Sequence, residues 1–186
     1  LQMDCSVPAL VVKISEYPWH HGGVGAIRSL GRAGVPVYAI TEGPRTPAAV
    51  SRYLRGRFIW PTTGLEDPAW LVEGLLDIGR RIGGRTVLIP TDDEAAVLIA
   101  ENADALGDAF LFPRIDAELP RRLASKRGLY EVCLCNDVPT ARAAFPTNVS
   151  EVDEFAADPV FPVVAKNQDC LLYTSAPADD QPSVDL

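Results

Sequence analysis

The chain has 186 residues and a formal net charge of −8. Its composition, 47% hydrophobic and 23% charged, is typical of a folded domain and excludes a disordered chain. The acidic balance argues against nucleic acid as a partner, and the sequence lacks the roughly 18 consecutive apolar residues of a membrane span. Four scattered cysteines are too few for a disulfide framework, which favours a cytoplasmic protein.

The first elements alternate between strand and helix. Residues 9–14 form a β-branched run that predicts a buried strand, and residues 35–40 predict a second one. Between them lie a predicted loop, which contains Gly22, Gly23 and Gly25, and then a helix. This order of strand, glycine-rich turn, helix and strand predicts a βαβ unit.

The next helix is predicted from its capping residues. Asp67 and Pro68 occupy the N-cap and first helical positions, and Gly83 is a stop signal. Four apolar residues recur at helical spacing and predict the face that packs on the sheet: Leu71, Leu75, Ile78 and Ile82.

Three more runs predict short strands at residues 57–60, 86–89 and 110–112. After the second of these runs, Thr91, Asp92 or Asp93 caps another helix. Because strands alternate with helices, the sequence predicts an α/β fold. Its open, mostly parallel, Rossmann-like sheet is expected over residues 6–114.

The glycine-rich turn and the end of the fourth predicted strand fall at the same edge of this sheet. Ligands bind at that edge in βαβ units, because helix N–H groups there point at anions. Gly22, Gly23 and Gly25 are therefore candidate substrate-binding residues, together with Thr91 and Asp92, which could hold an amine or a hydroxyl. Thr91 and Asp92 are also explained as the N-cap of a helix with acidic residues in its first turn, and the capping and substrate-binding interpretations are compatible.

A dinucleotide-binding fingerprint is present but incomplete. Gly23-x-Gly25-x-x-Arg28 matches two of its three glycines, and Arg28 stands in the place of the third. Glu42 lies 19 residues after Gly23, about where a ribose-binding acid would be. A glycine loop that serves only a tight turn explains the pattern equally well.

No metal-binding site is predicted within the chain. His20 and His21 are adjacent, and adjacent loop residues rarely converge on one ion. Cys133 and Cys135 point to different faces of a predicted helix. A solvent-facing or substrate-contacting histidine pair and packed thiols are the simpler interpretations.

The segment after the α/β domain carries two of the chain's three lysines. Lys13 lies inside the first predicted strand. A helix is predicted over about residues 125–135, with Lys126 near its start and Leu129, Val132 and Cys133 on its inward face. Lys166 ends a β run over residues 162–166. A helix capped by Ser150 is predicted between the last two lysines. A lysine ammonium is a compact charge suited to a phosphate, although each lysine alone is also explained as a solvated surface residue.

Three segments of this region resemble the opening of an ATP-grasp domain: Leu123-Ala-Ser-Lys126, Asn136-Asp-Val-Pro139-Thr and Phe161-Pro-Val-Val-Ala-Lys166. In that superfamily a helix that begins near a lysine leads to a Val-Pro-Thr turn, an extended piece, a helix, and a strand that ends in lysine. The preceding domain resembles the pre-ATP-grasp domain of such ligases. The nearest branch is the carboxylate–amine ligases similar to D-aspartate ligase and the carbamoyl-phosphate synthase large chain.

Two residues depart from the family pattern. Asn167 replaces the proline that usually follows the strand lysine, and Ala141 replaces the second proline of the turn. The resemblance implies that Lys126 and Lys166 contact ATP, that residues 115–166 begin the ATP-grasp domain, and that Mg²⁺ is a cofactor. Since the last glycine is Gly128, the glycine-rich lid and the Mg²⁺ ligands are expected in a missing C-terminal part.

The resemblance therefore implies an N-terminal fragment of a ligase, inactive by itself. A carboxylate would attack the γ-phosphoryl group of ATP, and an amine or thiol would capture the resulting acylphosphate. The expected partners are ATP and a small carboxylate, with neither nucleic acid nor membrane, and a homodimer is an open possibility. Two other classes stay open: a stand-alone nucleotide- or dinucleotide-binding module without ligase activity, and a non-catalytic scaffold that dimerises through its outer helices.

Residues 167–186 are predicted to be a disordered and non-native tail. They contain four aspartates but no lysine, arginine or glycine, and no apolar periodicity. From Asp169 onward the amino-acid sequence resembles the peptides obtained when library adapter DNA is translated at the end of a sequencing read. A natural flexible C-terminus is the alternative.

Overall fold

The computed structural model describes residues 5–17, 19–158 and 162–166. The predicted tail, residues 167–186, lies outside the described residues. The chain divides into two compact units, Leu1–Pro120 and Arg121–Leu186.

Among its described residues, the first unit contains a sheet of five parallel strands. The strands are β1 (Ala9–Val12), β2 (Val37–Thr41), β3 (Leu54–Ile59), β4 (Thr86–Pro90) and β5 (Phe110–Leu111). Their order across the sheet is β3-β2-β1-β4-β5, so β1 is central and β3 and β5 are the edges. The predicted α/β fold with an open, parallel, Rossmann-like sheet is confirmed, and the strand boundaries differ by a few residues.

The helices of the first unit are α1 (His21–Arg32), α2 (Pro68–Ile82), α3 (Asp93–Glu101) and α4 (Ala103–Leu106). Helix α5 (Leu119–Ala124) crosses the division, and α6 (Lys126–Cys135) and α7 (Val149–Ala156) belong to the second unit. In the described ranges, the helices are all too short or too polar to span a membrane.

The central strand sends alternate side chains into two cores. Ala9 and Val11 pack on one face of the sheet with Ile27 of α1. Leu10 and Val12 pack on the other face, in the core that contains α2 and α3. All four strand residues are at most 2% exposed. Because both faces are covered, the strand consists of apolar residues without alternation.

Helix α2 forms as its capping residues predict. The Asp67 carboxylate accepts from the backbone N–H of Ala69 at 2.7 Å, and Gly83 ends the helix with φ of 82°. Of the predicted inward residues, Leu71, Leu75 and Ile78 are buried in the core. Ile82 is partly buried and packs against the same core.

In the second unit, α6 begins at Lys126 as predicted, with the Ser125 side chain as its N-cap. Leu129, which we expected to point inward, is 42% exposed, so that assignment is wrong. The α6 face around Leu129 has no sheet of its own unit to pack on among the described residues.

The predicted cap of α7 is also wrong. Asn148, and not Ser150, accepts the hydrogen bond from the Glu151 backbone N–H, at 3.0 Å. The Glu151 carboxylate in turn accepts from the Thr147 N–H at 2.7 Å. This reciprocal capping fixes the helix start earlier than the sequence predicted.

The predicted β run over residues 162–166 is not a strand. These residues are exposed and, within the described part of the chain, pair with no other strand. A strand needs a neighbour for its backbone N–H and C=O groups, and an apolar run alone does not provide one.

The assignment of the α2 face leads to a stability prediction. Ile78 is 6% exposed in the core beneath the sheet. Ile78→Ala should lower the free energy of unfolding by about 2–5 kcal/mol, because it leaves a cavity among close-packed neighbours. Chemical denaturation measures this change. Glu73→Ala, at an exposed position of the same helix, is the control and should change stability by less than about 0.5 kcal/mol. Equal stability of both variants would contradict the packing of α2.

Candidate functional site

The candidate site lies at the carboxyl edge of β1, β2 and β4, where α1 begins. His20 is the N-cap of α1, and its Nδ1 accepts a hydrogen bond from the Gly23 backbone N–H at 3.3 Å. Gly22, Gly23 and Gly25 therefore lie inside α1, and the predicted glycine loop is wrong. The imidazole satisfies a free N–H of the first turn, and this allows the helix to begin ahead of the glycines.

The three glycines have different surroundings. A Cβ on Gly22 would lie 3.1 Å from His20 Cε1, and a Cβ on Gly23 would lie 3.6 Å from Thr91 Oγ1. A Cβ on Gly25 would have no atom within 4 Å. The fold thus brings Gly23 and Thr91 together, as expected for neighbours at one sheet edge, and leaves Gly25 open.

Thr91 and Asp92 both bind the backbone. The Thr91 hydroxyl donates to the Val12 carbonyl at 3.1 Å. Asp92 Oδ2 accepts from the N–H groups of Ile14 at 2.8 Å and Ser15 at 2.7 Å, and Oδ1 accepts from Ala95 N at 3.0 Å. The N-cap interpretation of Asp92 is confirmed, and its carboxylate also holds the chain that leaves β1. A substrate-binding role of the two residues stays a prediction.

A buried ion pair adds two residues to the edge. β1 ends at Val12, so Lys13 follows the strand, and the prediction that Lys13 lies inside it is wrong. Its side chain is 8% exposed, forms an ion pair with Glu42, which is 17% exposed, and donates to the Ser15 carbonyl. Sequence reasoning considered Glu42 only as a ribose-binding acid and missed Lys13. The available signal was their position, each just after a strand of the same parallel sheet.

A small cavity of about 10 Å³ lies beside this ion pair, with room for about one water molecule. Its lining combines apolar strand residues with the polar side chains of the edge: Lys13, His20, Glu42 and Thr91. The cavity is too small for a ligand of several atoms.

Glu94 lies in the first turn of α3, next to this edge. Burial raises the pKa of the Glu94 carboxyl above its ordinary value, and the negative charges of Asp92 and Asp93 raise it further. The positive charge of Lys13 acts in the opposite direction. The carboxyl therefore holds its proton to a higher pH than an exposed glutamate does.

The predicted ATP-binding lysines both belong to the second unit. Lys126 occupies the first helical position of α6 and is partly buried. Lys166 is exposed in a segment without strand pairing. Their role stays a prediction. Among the described residues, no group of three His, Cys, Asp or Glu side chains could hold a metal ion.

Comparison with known proteins gives structural similarity only. No family model matches the sequence, and no curated protein matches it significantly. The structure is similar to the biotin carboxylase domain of Hydrogenobacter thermophilus 2-oxoglutarate carboxylase in complex with MgADP, ADP and bicarbonate, with 17% identity and a TM-score of 0.48 over 83% of this chain and 33% of that one.

Two further structures are similar. The biotin carboxylase domain of a thermophilic 2-oxoglutarate carboxylase bound to bicarbonate has 18% identity and a TM-score of 0.45, over 84% of this chain and 34% of that one. The biotin carboxylase subunit of pyruvate carboxylase has 17% identity and a TM-score of 0.43, over 81% and 32%. This chain spans about a third of the length of these structures. At such low identity and TM-score, the similarity carries no argument about activity.

The hydrogen bonds of Asp92 lead to a prediction on stability. Asp92→Ala removes the cap of α3 and leaves the N–H groups of Ile14 and Ser15 without their acceptor. The free energy of unfolding should fall by about 1.5–3 kcal/mol, the scale of hydrogen bonds to a charged group. Asp93→Ala is the matched control and should cost less than about 1 kcal/mol, because Asp93 is exposed and acts mainly on the helix dipole. A cost for Asp92→Ala no larger than that of the control would show that this carboxylate does not hold the edge.

The raised pKa of Glu94 predicts a pH dependence. Since the folded chain disfavours the ionised carboxylate, Glu94→Gln should stabilise the protein at pH 7. Below the ordinary pKa of about 4.5 the carboxyl is protonated in both the folded and unfolded chain, so the gain should disappear there. Thermal melts from pH 4 to 8 measure the difference, with the exposed Glu73→Gln as the control. A loss of stability for Glu94→Gln at pH 7 that shrinks on acidification would show that the pKa is lowered instead.

Proposed function

We infer that the chain is the N-terminal part of an ATP-dependent ligase of the ATP-grasp superfamily. The observation that carries this inference is the order of elements around the three resembling segments. Helix α6 begins at Lys126, the Val138-Pro139-Thr140 turn follows without helix or strand, and α7 comes next. This order, placed after a parallel α/β unit, supports the resemblance, while the unpaired segment at residues 162–166 departs from it.

The reaction is proposed to join a small carboxylate to an amine or thiol through an acylphosphate. In this proposal Lys126 and Lys166 bind the phosphates of ATP, since ammonium groups form strong charge-assisted hydrogen bonds to phosphate oxygens. ATP supplies the phosphoryl group that activates the carboxylate, and Mg²⁺ is proposed to be held by residues outside this chain. Catalysis of this kind depends mainly on positioning and on neutralising charge.

The carboxyl edge of the first unit is the proposed contact for the carboxylate substrate. Gly22 and Gly23 lie in the first turn of α1 and Gly25 in the second, and the positive end of the helix dipole there favours an anion, although the Gly23 N–H itself already donates to His20. The Thr91 hydroxyl faces Gly23 and can accept one hydrogen bond besides the one it donates. Asp92 would act by holding the edge in place, because both of its oxygens already accept backbone hydrogen bonds.

The alternative of a dinucleotide-binding module is less well supported. Its fingerprint requires glycines in a turn between strand and helix, whereas Gly23 and Gly25 lie within α1. Its ribose-binding acid would be Glu42, which is already paired with Lys13. Binding of NAD to this chain in calorimetric titration would favour that alternative over a ligase.

The ATP-binding role of Lys166 can be tested directly. This chain should bind ATP weakly or not at all, because the proposed lid and Mg²⁺ ligands lie outside it. In a longer clone that contains the C-terminal part, Lys166→Ala should weaken ATP binding by about 1.5–3 kcal/mol, the scale of a lost charge-assisted hydrogen bond. Calorimetric titration of ATP measures this loss.

The control must remove a positive charge without disturbing the fold. Lys13→Ala is unsuitable, because it would leave the buried Glu42 carboxylate without its ion-pair partner. Arg80→Ala is suitable, since Arg80 is exposed on α2, and it should leave ATP affinity unchanged. Equal ATP affinity of Lys166→Ala and the parent would contradict the ligase proposal.

A further inference from the structure

A second depression, a groove of about 310 Å³, lies on the exposed face of α1. It is lined by Trp19, His21, Val24, Gly25, Arg28 and Pro47. Four of these residues are spaced i, i+3, i+4 and i+7 and so form one stripe along the helix. Trp19 precedes the helix, and Pro47 comes from the connection between β2 and β3. The volume falls at the lower end of the range for small-molecule sites.

Gly25 keeps the middle of this groove open. Glycine in a helix lowers stability relative to alanine, so its presence calls for a reason. Gly31 of the same helix has a packing reason, because a Cβ there would lie 2.6 Å from Tyr53 Cβ. Gly25 has no such reason, since a Cβ would meet no atom within 4 Å. A side chain at this position would instead occupy the groove.

The groove lies in a stretch of net positive charge in an acidic chain. Residues 17–65 contain six arginines and one acidic residue, Glu42. Glu42 is ion-paired with Lys13, so it does not offset the arginines. Arg28 is exposed in the groove and, among the described residues, forms no hydrogen bond or ion pair. Its guanidinium is thus available to a carboxylate or phosphate, which it can bind through two parallel N–H donors.

Trp19 gives the groove an aromatic wall. Trp19 is 61% exposed, although burial of so large an apolar surface is favourable. An aromatic ring packed on this indole would lie within reach of the same groove as Arg28. We propose that the groove binds a small molecule that combines one flat aromatic ring with one carboxylate or phosphate group. The ring packs on Trp19 over Gly25, and the anion pairs with Arg28.

The experiment uses the whole 186-residue chain and five defined probes in calorimetric titrations. Phenylacetate and phenyl phosphate combine ring and anion, and their relative affinities distinguish a carboxylate from a phosphate ligand. Acetate, inorganic phosphate and benzyl alcohol each carry one feature only. At least one of the two combined probes should bind at least about tenfold more tightly than any single-feature probe, because only it uses both contacts.

Three variants locate the binding. Arg28→Met should weaken the tighter combined probe about tenfold or more through loss of the charged contact, and Trp19→Ala should weaken it by a few-fold. Gly25→Gln should abolish binding by filling the groove without loss of thermal stability, since its Cβ meets no atom. Arg32→Met, at an exposed arginine one turn further along α1, is the matched control and should leave affinity within about twofold.

Two results would overturn the proposal. One is failure of both combined probes to bind the chain more tightly than the single-feature probes. The other is binding that Arg28→Met and Gly25→Gln leave unchanged. Neither experiment involves ATP or the second unit, so this proposal can fail while the ligase function stands, and the reverse also holds.

Discussion

The Asp92 carboxylate is the constraint on which the candidate site depends. It accepts backbone hydrogen bonds from Ile14 and Ser15, just after β1, and from Ala95 in the first turn of α3. One side chain therefore fixes the exit of the central strand against the start of the helix after β4. Lys13 directly precedes these two N–H groups, so the same hydrogen bonds hold the backbone from which it reaches Glu42.

The elements that local signals determine were predictable from the sequence. Helix α2 begins at Pro68, after its N-cap Asp67, and ends before Gly83. Both ends are set by local groups, because the Asp67 carboxylate accepts from free N–H groups of the first turn, Pro68 has no N–H, and the Gly83 N–H donates to the Gly79 carbonyl. The strands were predictable because a parallel sheet covered on both faces needs uninterrupted apolar runs, such as Ala9–Val12. The sequence analysis predicted no strand order, since pairing of β1 with β4 joins residues far apart in the sequence.

Other features depend on contacts that a sequence pattern does not contain. Histidine is not among the preferred N-cap residues, so the start of α1 ahead of its glycines had no local signal. The Lys13–Glu42 pair forms because two neighbouring parallel strands end at the same edge. Residues 162–166 have the composition of a strand but lack a partner among the described residues, and backbone pairing is what makes a strand.

The carboxyl edge and the exposed face of α1 present two different environments within one unit. At the edge, Lys13 and Glu42 neutralise each other beside a cavity for about one water molecule. On the helix face, Arg28 and Trp19 are exposed around a groove about thirtyfold larger, as the volumes of 310 Å³ and 10 Å³ show. Gly23 lines the cavity at the edge and Gly25 lines the groove, so the first two turns of α1 contribute to both regions.

The central claim is that the chain belongs to a ligase that activates a carboxylate by phosphorylation. The most direct measurement is oxygen transfer by a longer clone that contains the C-terminal part. The clone is incubated with ATP, Mg²⁺, an amine and a set of ¹⁸O-labelled small carboxylates, and the released phosphate is analysed by mass spectrometry. An acylphosphate intermediate places one ¹⁸O atom in the phosphate, which is the result that we predict. Ligation with unlabelled phosphate, or no ligation with any carboxylate in the set, would contradict the claim.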